Sequence, residues 1–145
     1  MKDSLKPGLQ YRQQFLVPVS KTVPALYPEA EAFQAMPNVF ATGFLVGFLE
    51  WACINAVQPF LEGPHEQTVG THINVSHQAP TPPGFTVTAT IELIGMEGRK
   101  LIFAVEAHDG IDLIAKGIHE RFVIDRTKFE TKVASKTSHL HHKEI

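Results

Sequence analysis

Three side chains in this sequence have the types needed for acid–base or acyl-transfer chemistry: Glu50, His77 and Thr42. Glu50 is the only charged residue between Phe40 and Leu61, a stretch reading FATGFLVGFLEWACINAVQPFL. Placing a carboxylate among packed apolar side chains is costly unless it is paired or protonated. Folding alone gives no reason to accept that cost, so a buried Glu50 with a shifted pKa is expected to do chemistry. The plainer alternative is a structural carboxylate satisfied by neighbouring donors.

His77 lies in the run HINVSHQA. If that run is a strand, Ile73, Val75, His77 and Ala79 share one face and His72, Asn74, Ser76 and Gln78 share the other. His77 then points inward, toward the segment that carries Glu50. A carboxylate and an imidazole in one dry pocket make an acid–base pair. Thr42, in Ala41-Thr42-Gly43, opens the apolar segment. Its default role is an N-cap, which is compatible with charge stabilisation at a helix N-terminus. If Thr42 and Glu50 share one helix, they lie about 12 Å apart along its axis. Either Thr42 precedes the helix and folds back, or a second subunit completes the site; the sequence leaves both open. A symmetric dimer would make two such sites.

The elements that must position these residues follow from periodicity. Tyr11–Val19 reads as a first strand. Between Val23 and Asn38, Pro24, Pro28 and Pro37 permit only short helical turns, so residues 23–38 are expected to form either a lid over a pocket or a surface wrap that covers core. The apolar run is read as a buried helix ending near Pro59. A membrane span is disfavoured by its central acid and by the absence of a flanking basic cluster. Period-two alternation then gives strands over Thr68–Ala79, Phe85–Gly95, Leu101–Ala107 and Ile111–Ile124, with a possible bulge at Gly117. Pro83-Gly84, Glu97-Gly98 and Asp109-Gly110 supply the turns. Arg126–Lys136 is expected to form a short helix, and 137–145 a mobile tail. Strands joined by short turns pair antiparallel, and a helix apolar nearly all round must be wrapped. The fold class is therefore α+β: a sheet of about five antiparallel strands around a long central helix.

Composition narrows the function. A chain of 145 residues suffices for a single domain with its own core. A net charge of −2 without a basic stripe argues against nucleic acid as a partner. The one cysteine, Cys53, is expected to pack as a small hydrophobe. No apolar leader opens the sequence, which predicts a cytoplasmic protein and no membrane partner. No Gly-x-Ser-x-Gly, phosphate-binding loop or His-Glu-x-x-His occurs. Ser76 beside His77 is a poor nucleophile–base pair, since strand neighbours face opposite ways. His139, His141 and His142 form a short tract read as incidental, so no metal site is expected.

Several long words occur in order: FATGF from Phe40, VGFLEWAC from Val46, GTHINVSHQAPTPPG from Gly70, AHDGID from Ala107 and GIHERFVI from Gly117. With them the chain, from about Tyr11 to Lys136, resembles the hotdog-fold thioesterases, and within them the fluoroacetyl-CoA thioesterase branch. The resemblance implies a hotdog domain over 1–136 and a homodimer whose sheets join edge to edge, with acyl-CoA at the subunit interface. It implies Thr42, Glu50 and His77 as the catalytic trio. It also implies substrate contacts from Gly70, through its backbone N–H, and from Arg121. Phe33 matches the branch's lid, whereas Met36 stands where the branch carries an aromatic residue; a flexible thioether there predicts a less rigid gate.

The expected activity is hydrolysis of a short acyl-CoA thioester, with coenzyme A as part of the substrate and no separate cofactor. Glu50 would serve as nucleophile or general base, and His77 would move protons. The rivals are a noncatalytic acyl-CoA-binding hotdog domain, a hotdog hydratase, whose own Asp and His pair is not found, and a structural dimer with an idle Glu50.

Overall fold

In the computed structural model, residues 1–140 are described. Strand β1 (Gln10–Leu16) is followed by the expected lid segment, which holds two one-turn helices, α1 (Val23–Leu26) and α2 (Glu31–Gln34). Helix α3 (Thr42–Val57) comes next and runs into a 3-10 turn at Gln58–Phe60. Then follow β2 (Glu66–His77), β3 (Thr86–Glu97), β4 (Lys100–His108), β5 (Leu113–Asp125) and helix α4 (Arg126–Thr137). Thr137, the first residue of the expected tail, completes α4, and 141–145 lie outside the described residues.

The five strands form one antiparallel sheet in the order β1-β3-β4-β5-β2. Alternation decides which face covers the helix. Val87, Ala89, Ile91 and Leu93 from β3 are buried, as are Leu101, Phe103, Val105 and Ala107 from β4. They meet Leu45, Phe48, Leu49, Ala52, Cys53, Ala56 and Val57 of α3. Burying a Leu or Phe side chain of this kind contributes about 1.5–3 kcal/mol, so this interface holds α3 in place. Turns close where glycine permits positive φ: Gly84 at 93° and Gly98 at 61°.

Gly117 is not a bulge. It sits in register opposite Val75, and a Cβ there would lie 2.0 Å from the Asn74 carbonyl oxygen. Glycine is needed because β2 approaches β5 too closely for a side chain. The irregularity in this pair falls instead between Gly70 and His72.

Two features frame the site. The lid's ends are joined by a bridge between Thr22 and Phe40, by Val23 N–H to the Val39 carbonyl (3.0 Å) and by Ala41 N–H to the Lys21 carbonyl (3.1 Å). Strand β2 is an edge strand whose outer side has no strand partner among the described residues. Along that edge Gly70, Thr71, His72, Ile73 and Asn74 are all exposed.

Candidate active site

Helix α3 presents two stripes. The wider is buried against the sheet. The narrower carries Thr42, Val46 and Glu50, four residues apart and hence nearly in line. Thr42 is the first helical residue; Ala41 is the N-cap, and no side chain caps it. The expected capping role is therefore not taken. The Thr42 hydroxyl lies 2.7 Å from His77 Nδ1 instead. It is free to do so because the extended backbone at Ala41 turns the first helical residue toward β2.

His77 does face α3, on the more buried side of β2 with Val75, while Asn74 and Ser76 are exposed. Ile73 departs from the expected inward face and is 43% exposed. Burial holds the His77 imidazole below its ordinary pKa, with a backbone hydrogen bond at Ala79 pulling the other way. Among the described residues its Nε2 is buried without a hydrogen-bond partner. A neutral imidazole hydrogen-bonded to a hydroxyl at one nitrogen is equipped to accept and return a proton. The pair opens on a shallow depression of about 240 Å³ walled by Val23, Val39, Phe40 and Pro80.

Glu50 is not sealed in the core as expected. Its side chain is 39% accessible, because the Thr42–Glu50 stripe faces the sheet's open edge rather than its middle. It is paired: Arg121 Nη1 donates to Glu50 Oε2 at 2.8 Å. Arg121 itself is buried and held from three sides. Its Nε donates to Thr68 Oγ1 (2.8 Å), its Nη2 to the Thr68 carbonyl (2.9 Å), and Nη1 also lies 3.1 Å from His119 Nε2. Gly70 completes this end. A Cβ at Gly70 would stand 2.7 Å from Glu50 Oε2, so only glycine leaves the carboxylate where it is.

One protomer thus assembles two separate clusters. Thr42 and His77 meet at the N-terminal end of α3. Glu50, Gly70 and Arg121 meet two turns further along, about 12 Å away at the helical rise. Thr42 lies on the helix and does not fold back, which removes one of the two options left open by the sequence. Phe33 and Met36 belong to neither cluster. Phe33 stacks on Tyr27 within the lid at 5.7 Å, and Met36 is 51% exposed. Among the described residues no group of three or more His, Cys, Asp or Glu gathers as a metal site. His139 follows α4, and His141 and His142 lie outside the described residues. Cys53, buried beneath Glu50 and Arg121, has its thiol pushed up to about 12, chiefly by burial, and is chemically quiet.

Sequence reasoning missed His119 and Thr68. A signal existed: counting back by twos from Val123 puts Arg121 and His119 on the inward face of β5, the same anomaly that singled out His77.

Comparison with known proteins agrees with this architecture. Residues 24–127 match the family described as FlK, fluoroacetyl-CoA-specific thioesterase. The fluoroacetyl-CoA thioesterase of Streptantibioticus cattleyicolor is 53% identical over 137 residues, covering 94% of this chain and 98% of the relative. The chain belongs to the fluoroacetyl-CoA-specific thioesterase family. It is a thioester hydrolase with the hotdog fold. A solved threonine-to-serine variant of the fluoroacetyl-CoA thioesterase FlK in complex with acetyl-CoA superposes with a TM-score of 0.89 at 52% identity, covering 92% of this chain and 99% of the other. A hot-dog-like protein from Thermanaerovibrio acidaminovorans shares the fold alone, at 23% identity and a TM-score of 0.77 over 91% and 93% of the two chains. No described helix of this thioesterase is long and apolar enough to cross a membrane.

Proposed function

We propose that this thioesterase hydrolyses fluoroacetyl-CoA to fluoroacetate and CoA, and that it does so in the cytoplasm, at sites shared between the two subunits of a homodimer. The observation that carries the shared site is the separation of Thr42–His77 from Glu50–Gly70–Arg121 on one helix face, beside an exposed edge strand. An unpaired edge invites a second strand. Two copies of β2 pairing antiparallel about a two-fold axis near Ile73 and Asn74 would set His77 close to the partner's Gly70. That would bring each Thr42–His77 pair to the opposite subunit's Glu50 and cover the exposed residues 70–74. In this reading residues 1–136 form the catalytic domain, and residues 23–38 close over the acyl group through Phe33 and Met36.

The chemistry follows from the groups present. Glu50 Oε2 is held by Arg121, and among the described residues Oε1 accepts no hydrogen bond. Oε1 is therefore the oxygen that attacks the thioester carbonyl or takes a proton from the attacking water. The carbonyl oxygen, negative in the tetrahedral intermediate, is met by the Gly70 N–H. The carbon–sulfur bond breaks and the sulfur leaves as CoA thiolate; the neutral His77, working with the Thr42 hydroxyl, then relays to it one proton of the hydrolytic water, received from protonated Glu50 in the direct route or taken from the water that cleaves the anhydride in the covalent route. In the direct route water supplies the hydroxyl that completes the acid. In the covalent route water cleaves the Glu50 anhydride.

Mixing Glu50→Gln and His77→Ala subunits tests the shared site. Each parent dimer keeps about a hundredth of wild-type turnover or less, whereas a mixed dimer contains one intact site. Random mixing then restores thiol release to about a quarter of wild type. No restoration above the parents puts the whole site in one chain. A panel of fluoroacetyl-, acetyl- and longer acyl-CoAs tests the substrate; preference for a longer acyl group rejects fluoroacetyl-CoA.

A further inference from the structure

The proposed mechanism leaves a buried histidine unused. His119 is 2% exposed, on the inward face of β5, with its ring stacked on Phe103 at 6.5 Å between centroids. Its Nδ1 is 2.7 Å from the His72 carbonyl oxygen. A carbonyl only accepts, so Nδ1 must carry the proton and donate. Its Nε2 is 3.1 Å from Arg121 Nη1. A guanidinium only donates, so Nε2 must be the bare, accepting nitrogen. The two neighbours together fix one neutral tautomer.

We infer that His119 is a positioning residue for hydrolysis: by accepting from one Nη1–H of Arg121, it aims the other at Glu50 Oε2. The geometry supports this from each side. Arg121 has its Nε and Nη2 already committed to Thr68. Only Nη1 reaches Glu50, and its direction is set by where its second hydrogen goes. Without an acceptor at Nε2, that hydrogen is unsatisfied in a buried place, and the guanidinium gains by turning away. The same ring secures the irregular stretch of β2, since the His72 carbonyl it binds directly follows the break in register after Gly70. One imidazole therefore sets both the arginine that grips the carboxylate and the strand that approaches it.

This role rests on Glu50 being catalytic, and the test separates the two ideas. His119→Gln keeps an acceptor where Nε2 was but lacks the Nδ1 donor. His119→Asn keeps the donor to His72 but lacks the acceptor for Arg121. Positioning through Arg121 predicts that Asn lowers kcat by about tenfold to a hundredfold, the usual cost of a small misplacement, with KM within about twofold, and that Gln retains most of kcat. A purely structural anchor predicts the reverse order. Nitrogen NMR of the wild-type ring supplies a second readout that no folding defect can confuse. Protonated Nδ1 and bare Nε2 at neutral pH are expected; protonated Nε2 overturns the inference. Glu50→Gln is assayed alongside. If it is inactive while His119→Asn turns over normally, positioning fails alone. If Glu50→Gln is fully active, both ideas fall.

Discussion

The two ends of the Thr42–Glu50 stripe are built in opposite ways. At the Thr42 end one hydrogen bond, to His77, joins two side chains at the rim of a shallow depression, and among the described residues His77 keeps a nitrogen unpaired. At the Glu50 end a buried guanidinium is fastened through Thr68, His119 and the carboxylate together. Ligation at several points fixes direction, whereas a single hydrogen bond leaves a group free to exchange partners. The lesson is a division of labour along one helix face. In the proposed mechanism the clamped end supplies a pre-aimed oxygen, and the loose end supplies the group that receives and releases protons during turnover.

Breaking the clamped end should hurt most. Glu50→Gln preserves shape and removes the charged oxygen. Thiol release from acyl-CoA should fall by about a thousandfold, with the fold retained by far-ultraviolet circular dichroism. Breaking the loose end should cost less. His77→Ala is expected to lower kcat by about a hundredfold, with little change in Tm because its partner Thr42 is exposed and can bind water; steady-state kinetics beside a thermal melt check both.

A third change strains the clamp without removing any part of it. In Gly70→Ala the new methyl meets Glu50 Oε2 at 2.7 Å, and the flexible carboxylate must yield. Turnover should drop about tenfold, while stability stays within about 1 kcal/mol in a denaturant titration.

The smallest effect distinguishes the ends by proton uptake. Burial holds both His77 and His119 below their ordinary 6.5, and the Arg121 cation adds to the lowering at His119. The unfolded chain takes up protons near 6.5 and the folded chain resists, so stability declines as pH falls below that value and is level above it. Melting curves from about pH 8 to about pH 5 should show this bend, and His77→Ala should remove its share. At lower pH a separate loss follows from Glu66. Its carboxyl is desolvated, yet hydrogen bonds from the Met1 ammonium, the Glu62 N–H and Arg99 bring it down to about 2. The stability it contributes is complete above about 4.5 and disappears as pH falls toward 2.

Much of this was legible in the chain. Strict alternation placed the apolar faces of β3 and β4, and the proline spacing foretold short turns in the lid. His77 stood out because it broke an apolar face. Glu50 was picked for the right oddity but with the wrong surroundings. The run from Phe40 to Leu61 looks buried on all sides when read linearly, and only the position of α3 beside the sheet's open edge exposes the Glu50 stripe. The default capping role of Thr42 fails because its spacing from the helix start is ambiguous by one residue, and Ala41 takes the N-cap position. Gly117 looked like a bulge because sequence does not report how closely a neighbouring strand approaches. Arg121 and Gly70 came from resemblance, and the cluster with His119 became visible only once β2 and β5 were in register.

The lid begins and ends at one place, the Thr22–Phe40 bridge, so residues 23–38 leave the body of the protein and return to it through a single doorway. Such a segment is an exchangeable cassette. Its sequence can be rewritten, or traded whole with a relative's, while the strand order and the packing beneath α3 stay as they were. In the proposed reading, where this segment closes over the acyl group, acyl preference can diverge faster than the hydrolytic machinery, and a graft of this one segment is the shortest engineering route to a new substrate.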